Sequence, residues 1–124
     1  AKRDELKKVV IWGTGAPVRE WLHIEDGAEA LIRSLELDLG IDPINVGRAQ
    51  GHTVKELAYM IKDAVNVDCD VVFDVTKEDG APIKTIDGST GKNALAWEPE
   101  IELSNGLKET VSWYSQVLSL DGES

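Results

Sequence analysis

The sequence predicts one mixed α/β domain, built from short strands with three to four helices, and three observations point to it. Val9 to Trp12 and Val71 to Val75 are β-branched and aromatic runs too short for helices and closed by Gly/Pro turns. Asp26 with Glu29, and Thr53 with Glu56, have the spacing of helix capping signals, each ahead of an apolar stretch of helical period. The two kinds of segment are interspersed, without internal repeat or low-complexity tract, so strands and helices share one core.

Taken in order, Val9 to Trp12 and Trp21 to Ile24 read as strands around the turn Gly13-Thr14-Gly15-Ala16-Pro17. Asp26 then opens a helix carrying Ala30, Leu31, Ile32 and Leu35, which Gly40 ends. Ile44 to Gly47 reads as a short buried strand. Thr53-Val54-Lys55-Glu56 is a capping box for a second helix, with Leu57, Ile61, Ala64 and Val65 on one face. Val71 to Val75 leads into a Gly80/Pro82 loop. A short helix is expected over Thr90 to Leu95, and a last one from Ser104 to about Leu118 with Leu107, Val111 and Tyr114 inward.

Composition narrows the function classes. A chain of 124 residues with 42% hydrophobic content supports one domain, burying about two thirds of its unfolded surface. No apolar run is long enough for a membrane span, and the charged stretch Ala1 to Lys8 lacks the apolar core of a signal peptide, so a cytoplasmic protein without a membrane partner is expected. Thirteen basic against 23 acidic residues give a net charge of -10, which argues against a nucleic-acid partner. An anionic ligand therefore requires local basic groups.

Cys69 is the single cysteine and lies between Asp68 and Asp70, whose charges disfavour a thiolate; it reads as structural. His23 and His52 have no acid or second histidine at metal-ligand spacing, so no metal site is expected.

The segment Trp12 to Trp21 carries the most chemistry. It sets an aromatic plate, Trp12, and a guanidinium, Arg19, on either side of a Gly/Pro turn. That suits a nucleotide-sugar pocket, with ring stacking on Trp12 and bidentate phosphate contact by Arg19. A strand corner with a core tryptophan and a surface arginine accounts for the same residues equally well. Glu78 and Asp79 are adjacent and point to opposite sides of an extended segment, which unsuits them for paired acid/base work. The flanking Lys77 and Lys84 read first as surface lysines, though either has the reach of a phosphate contact.

Trp12-Gly-Thr-Gly-Ala-Pro-Val-Arg19-Glu-Trp-Leu-His-Ile-Glu-Asp26 resembles the C-terminal half of extended short-chain dehydrogenase/reductases acting on sugar nucleotides. Within that NAD-dependent epimerase/dehydratase family it is most like the GDP-L-fucose synthase branch. Ile44-Asn-Val-Gly47 with Thr53-Val-Lys-Glu-Leu57, Lys77-Glu-Asp-Gly-Ala-Pro-Ile-Lys84-Thr-Ile-Asp87, and Asp87 to Trp97 followed by Leu103 to Tyr114 agree in order. The resemblance implies the substrate-side portion of a Rossmann-type epimerase. It places Trp12 and Arg19 at the GDP moiety, Arg19 at the diphosphate, and Asp79 and Lys84 in the loop at the nucleotide. Ile83, Glu25 and Ala96 depart from the pattern.

The resemblance also implies NADP(H) for the complete enzyme, yet the glycine-rich dinucleotide fingerprint and the Tyr-x-x-x-Lys pair are not in this sequence: Tyr59 is followed by Lys62, one residue short. Neither Cys69 nor His23 matches the cysteine and histidine of the epimerisation step. The expectation is therefore a substrate-binding portion, residues 1–124, that binds no cofactor and is inactive alone. It is expected to associate with a cofactor-binding half or with itself, through the apolar faces of the Ala28 to Leu37 helix and the Ile44 strand. A free-standing remnant serving as a self-associating interaction module is the alternative.

Overall fold

The computed structural model describes residues 7–121; the charged segment 1–6 lies outside them. The elements run β1 (Lys8–Trp12), β2 (Val18–Glu20), α1 (Ile24–Leu35), β3 (Gly51–Thr53), α2 (Val54–Val65), β4 (Asp70–Asp74), β5 (Ile83–Lys84), α3 (Ser89–Leu95) and α4 (Leu103–Asp121). The mixed α/β class is as expected, with four helices.

The strands form two small sheets. β1 pairs in parallel with β4, from Lys8 opposite Asp70 to Trp12 opposite Asp74. β2 is the centre of the other sheet, antiparallel to β3 and parallel to β5. Parallel strands normally have both faces covered. Here Val10 and its register partner Val72 remain 48% and 43% exposed.

The expected second strand is displaced. Strand pairing stops at Glu20, Trp21 to His23 are irregular, and Ile24 already belongs to α1. His23, not Asp26, caps α1, its Nδ1 accepting from Glu25 N at 3.4 Å. Asp26 is spent elsewhere: it is 4% exposed and accepts from Glu100 N and Ile101 N, both at 3.0 Å, tying α1 to the segment before α4. Such a long-range use is invisible to a local capping rule.

Ile44 to Gly47 forms no strand. The segment runs against α3, close enough that a methyl group on Gly91 would fall 2.2 Å from the Asn45 carbonyl oxygen. The capping box at Thr53 forms as read: Glu56 N donates to Thr53 Oγ1 at 3.0 Å and Thr53 N donates to Glu56 Oε2 at 2.7 Å. That interaction holds the Glu56 carboxyl below its ordinary value, Thr53 being the first cause. Ser89 does the same for Asp87 ahead of α3.

α1 packs on α3, and α2 packs on α4. Ala30, Leu95 and Trp97 form the buried centre, joined by Leu22, Leu39 and Val46. Cys69 is buried, as a structural cysteine should be. Tyr114 departs from expectation: it is exposed and stacks loosely on Trp113, 6.3 Å between ring centres. The outer face of α1 is bare, with Leu31, Ile32 and Leu35 all exposed. No helix among the described residues is long and apolar enough to cross a membrane.

Candidate functional site

The turn after β1 sets the geometry. Gly13 and Gly15 have φ of +83° and +76°, the left-handed region that glycine enters without strain. A methyl group on Gly13 would also fall 2.2 Å from Asp79 Oδ1, and one on Gly15 2.4 Å from the Phe73 ring. The chain therefore doubles back tightly between Trp12 and Arg19. The 75–82 loop is pinned to this turn, since Thr14 N and Thr14 Oγ1 donate to the two Asp79 oxygens at 2.9 and 2.5 Å. Pro82 closes the loop by accepting from Val18 N at 2.8 Å.

Arg19 is the central residue of the β3-β2-β5 sheet, opposite His52 on one side and Lys84 on the other. Residues directly opposite in a sheet share a face. The fold thus brings Arg19 and Lys84, apart in sequence, into adjacent register. The guanidinium is half-buried, donates through Nη1 to Val18 O at 2.6 Å, and lies close under the loop, 3.1 Å from where a methyl group on Gly80 would sit.

Among the described residues, the ion pairs are Arg33 with Glu29, Arg48 with Glu102, and Lys92 with Glu98, and His23 Nε2 lies 3.8 Å from Glu109. Arg19, Lys84, Lys77 and Lys55 belong to none of them. Arg19 and Lys84 are thus cations at opposed strand positions that belong to none of these ion pairs, in a chain of net charge -10.

Trp12 ends β1 on the other sheet and is 74% exposed, with Lys77 Nζ over its ring at 5.6 Å from the centroid. The same loop that reaches Trp12 through Lys77 reaches the Arg19 guanidinium at Gly80. Of the four residues singled out from sequence, Arg19 and Lys84 are neighbours, Trp12 is an open plate, and Asp79 is the clamp that fixes the loop between them.

Glu20 escaped sequence reading. Its Oε1 accepts from Arg48 N at 2.5 Å and Ala49 N at 3.1 Å, while Oε2 accepts from Ile86 N at 3.1 Å. It fixes the ends of β3 and β5 around Arg19. Its place directly after Arg19 is the only local signal, and the partners are distant in sequence.

The Gly13-Gly15 turn leads into a strand, not a helix, so it offers no helix N-terminus to a dinucleotide pyrophosphate. Tyr59 and Lys62 lie on α2 outside the dinucleotide pattern.

One cluster was not foreseen: His23, Glu25 and Glu109 bring ligand atoms within 4.8 Å of one another. The α1 cap uses the lone pair of His23 Nδ1, so Nε2 keeps the hydrogen. That hydrogen suits Glu109, 3.8 Å away, and leaves no lone pair there for a metal. The cluster borders an apolar groove of about 610 Å³ between α1 and α4, lined by Trp21, Ile24, Leu103, Leu107 and Trp113. None of the four predicted site residues lines that groove.

Comparison with known proteins fits this architecture. Residues 1–47 match the NAD dependent epimerase/dehydratase family. The chain is 40% identical over 114 residues to GDP-L-fucose synthase 1 of Arabidopsis thaliana, covering 92% of this chain and 35% of the relative. It is 40% identical over 123 residues to GDP-L-fucose synthase of Escherichia coli K12, covering 92% of this chain and 38% of that enzyme. A GDP-L-fucose synthetase structure from Naegleria fowleri, bound to NADP, superimposes with a TM-score of 0.84 at 26% identity, covering 90% of this chain and 36% of that one. The chain spans about a third of the length of these relatives. On sequence and fold together, the chain is similar to GDP-L-fucose synthases over about nine-tenths of its length, and its first 47 residues match the NAD dependent epimerase/dehydratase family.

Proposed function

We propose that this chain is the nucleotide-sugar-binding portion of an NAD(P)-dependent epimerase/reductase resembling GDP-L-fucose synthase. Cofactor binding and hydride transfer would then be supplied by residues outside it. The observation that carries the proposal is the register pair Arg19 and Lys84, two cations at opposed strand positions that belong to no ion pair among the described residues. A diphosphate offers the oxygens that such a pair accommodates: Arg19 grips two of them and Lys84 adds a point charge. Trp12 supplies a stacking face for a ring of the same ligand, and Asp79 keeps the 75–82 loop closed over the turn. The ligand is a GDP-sugar, on the strength of the relatives' names.

The partner is a cofactor-binding half. The bare α1 face and the exposed Val10/Val72 face of β1 and β4 are what a domain leaves open when it is built to pack against more chain. A second reading draws on the same surface: a self-associating module that covers these faces with another copy.

Mixing the chain with a separately expressed cofactor half of a close relative distinguishes the two. The proposal expects recovered NADPH oxidation with a GDP-4-keto-6-deoxy sugar, lost in Arg19→Ala while assembly persists and unchanged in Cys69→Ala. Assembly of this chain with itself, without any recovered oxidation, supports the second reading. The cytoplasm remains the proposed location.

A further inference from the structure

We infer that Lys77 is a further ligand-contacting residue of this site, an inference that rests on the diphosphate reading above. Its ammonium lies over the exposed face of Trp12, the plate assigned to ring stacking. A ring that takes that face displaces the ammonium from its cation-π position. The displaced charge stays close by, because the loop that carries it is fixed at both ends. Lys77 N donates to Asp74 O at 3.1 Å, and Thr76 is held by Asp74 Oδ1 through both its N–H, at 3.1 Å, and its hydroxyl, at 2.6 Å. Two residues on, Asp79 is clamped to Thr14. The backbone is thus restrained, while the four-carbon stem of lysine is free to swing.

The same loop reaches the Arg19 guanidinium at Gly80, so Lys77 is carried by the segment that links the stacking plate to Arg19. Among the described residues it has no carboxylate partner to hold it back. In the empty site Lys77 covers the indole; in the occupied site it pairs with a ligand phosphate, adding a third cation to Arg19 and Lys84. The exchange moves no covalent bond.

Calorimetry on the full chain with GDP and with guanosine, at low and at high salt, tests this. Lys77→Met is expected to weaken GDP binding by about 5-fold or more at low salt and not to weaken guanosine binding, which has no phosphate for the displaced ammonium to pair with. The gap should narrow at high salt as phosphate contacts are screened, and Lys77→Arg should recover most of the loss. Equal or tighter GDP binding by Lys77→Met overturns the inference, tighter binding meaning that Lys77 only blocks the plate. Arg19→Lys, measured in the same series, separates the two layers. If Arg19→Lys loses affinity and Lys77→Met does not, the site stands and the role of Lys77 falls. If neither changes, or the unmodified chain binds no GDP, the site and the inference fall together.

Discussion

Asp79 holds Thr14 with both carboxylate oxygens, one on the backbone N–H and one on the hydroxyl. The carboxylate that the family resemblance placed at the nucleotide thus has a protein partner, and its grip keeps the 75–82 loop against the Gly13-Gly15 turn. Asp79→Ala should lower the melting temperature by a few degrees, corresponding to about 1 kcal/mol for lost hydrogen bonds at an exposed site, and should also weaken GDP binding. Thr14→Val keeps the backbone N–H and should lose less on both counts. An Asp79→Ala protein with unchanged melting and weakened GDP binding would return Asp79 to a direct ligand contact.

Gly15 makes the turn possible. Gly15→Ala adds a methyl group 2.4 Å from the Phe73 ring at a backbone φ of +76°, so strain and clash act together. The expected destabilisation is about 2 kcal/mol or more. Chemical denaturation measures it, and an unchanged midpoint would contradict the turn geometry.

Much of the fold is legible in the sequence because its signals are local. The β-branched runs at Val9 and Val71 and the Thr53/Glu56 box need only near neighbours to take effect, and each forms as read. Errors arise where a distant partner takes over a residue. Asp26 looks like a cap but is drawn to Glu100 N and Ile101 N, so His23 caps α1 instead. Ile44 to Gly47 has strand composition but lies against α3 without a strand to pair with. In the site, Arg19 stands out by residue type and turn context. Its adjacency to Lys84 exists only through the β2/β5 register, and the hold of Glu20 on Arg48, Ala49 and Ile86 only through the tertiary fold.

Burial makes Asp26 costly to remove. Asp26→Ala would leave Glu100 N and Ile101 N without their acceptor inside the protein. The expected cost is about 2 to 4 kcal/mol. Asp26→Asn, which retains one carbonyl acceptor, should cost less. Urea unfolding of the two variants checks the order.

The Thr53/Glu56 box predicts a pH dependence of defined sign. Glu56 titrates below its ordinary value of 4.5 in the folded chain, so its carboxylate stabilises the fold above that value, and the contribution is lost as pH falls through the lowered folded value. Glu56→Gln should therefore be less stable than the unmodified chain at neutral pH, with the difference closing in acid. Thr53→Ala should destabilise by about 1 kcal/mol and bring the Glu56 carboxyl back up. Thermal unfolding from pH 7 down to about 3 reads both effects, and a difference that widens in acid would reverse the assignment.

The exposed α1 face predicts association. Leu35 is 86% exposed beside Leu31 and Ile32, and apolar surface left so open is expected to be covered by another molecule. Light scattering should show a dimer or larger species, and Leu35→Lys should shift it toward monomer. A monomer for the unmodified chain that binds no apolar dye would contradict this.

Calorimetric titration of the chain with GDP, comparing the unmodified protein with Arg19→Lys, tests the central claim most directly. Lysine keeps the charge beside Lys84 but loses the two-pronged grip. The account predicts measurable binding by the unmodified chain and a loss of about tenfold or more in Arg19→Lys. Equal affinity in the two proteins would contradict the assignment of Arg19 to a diphosphate.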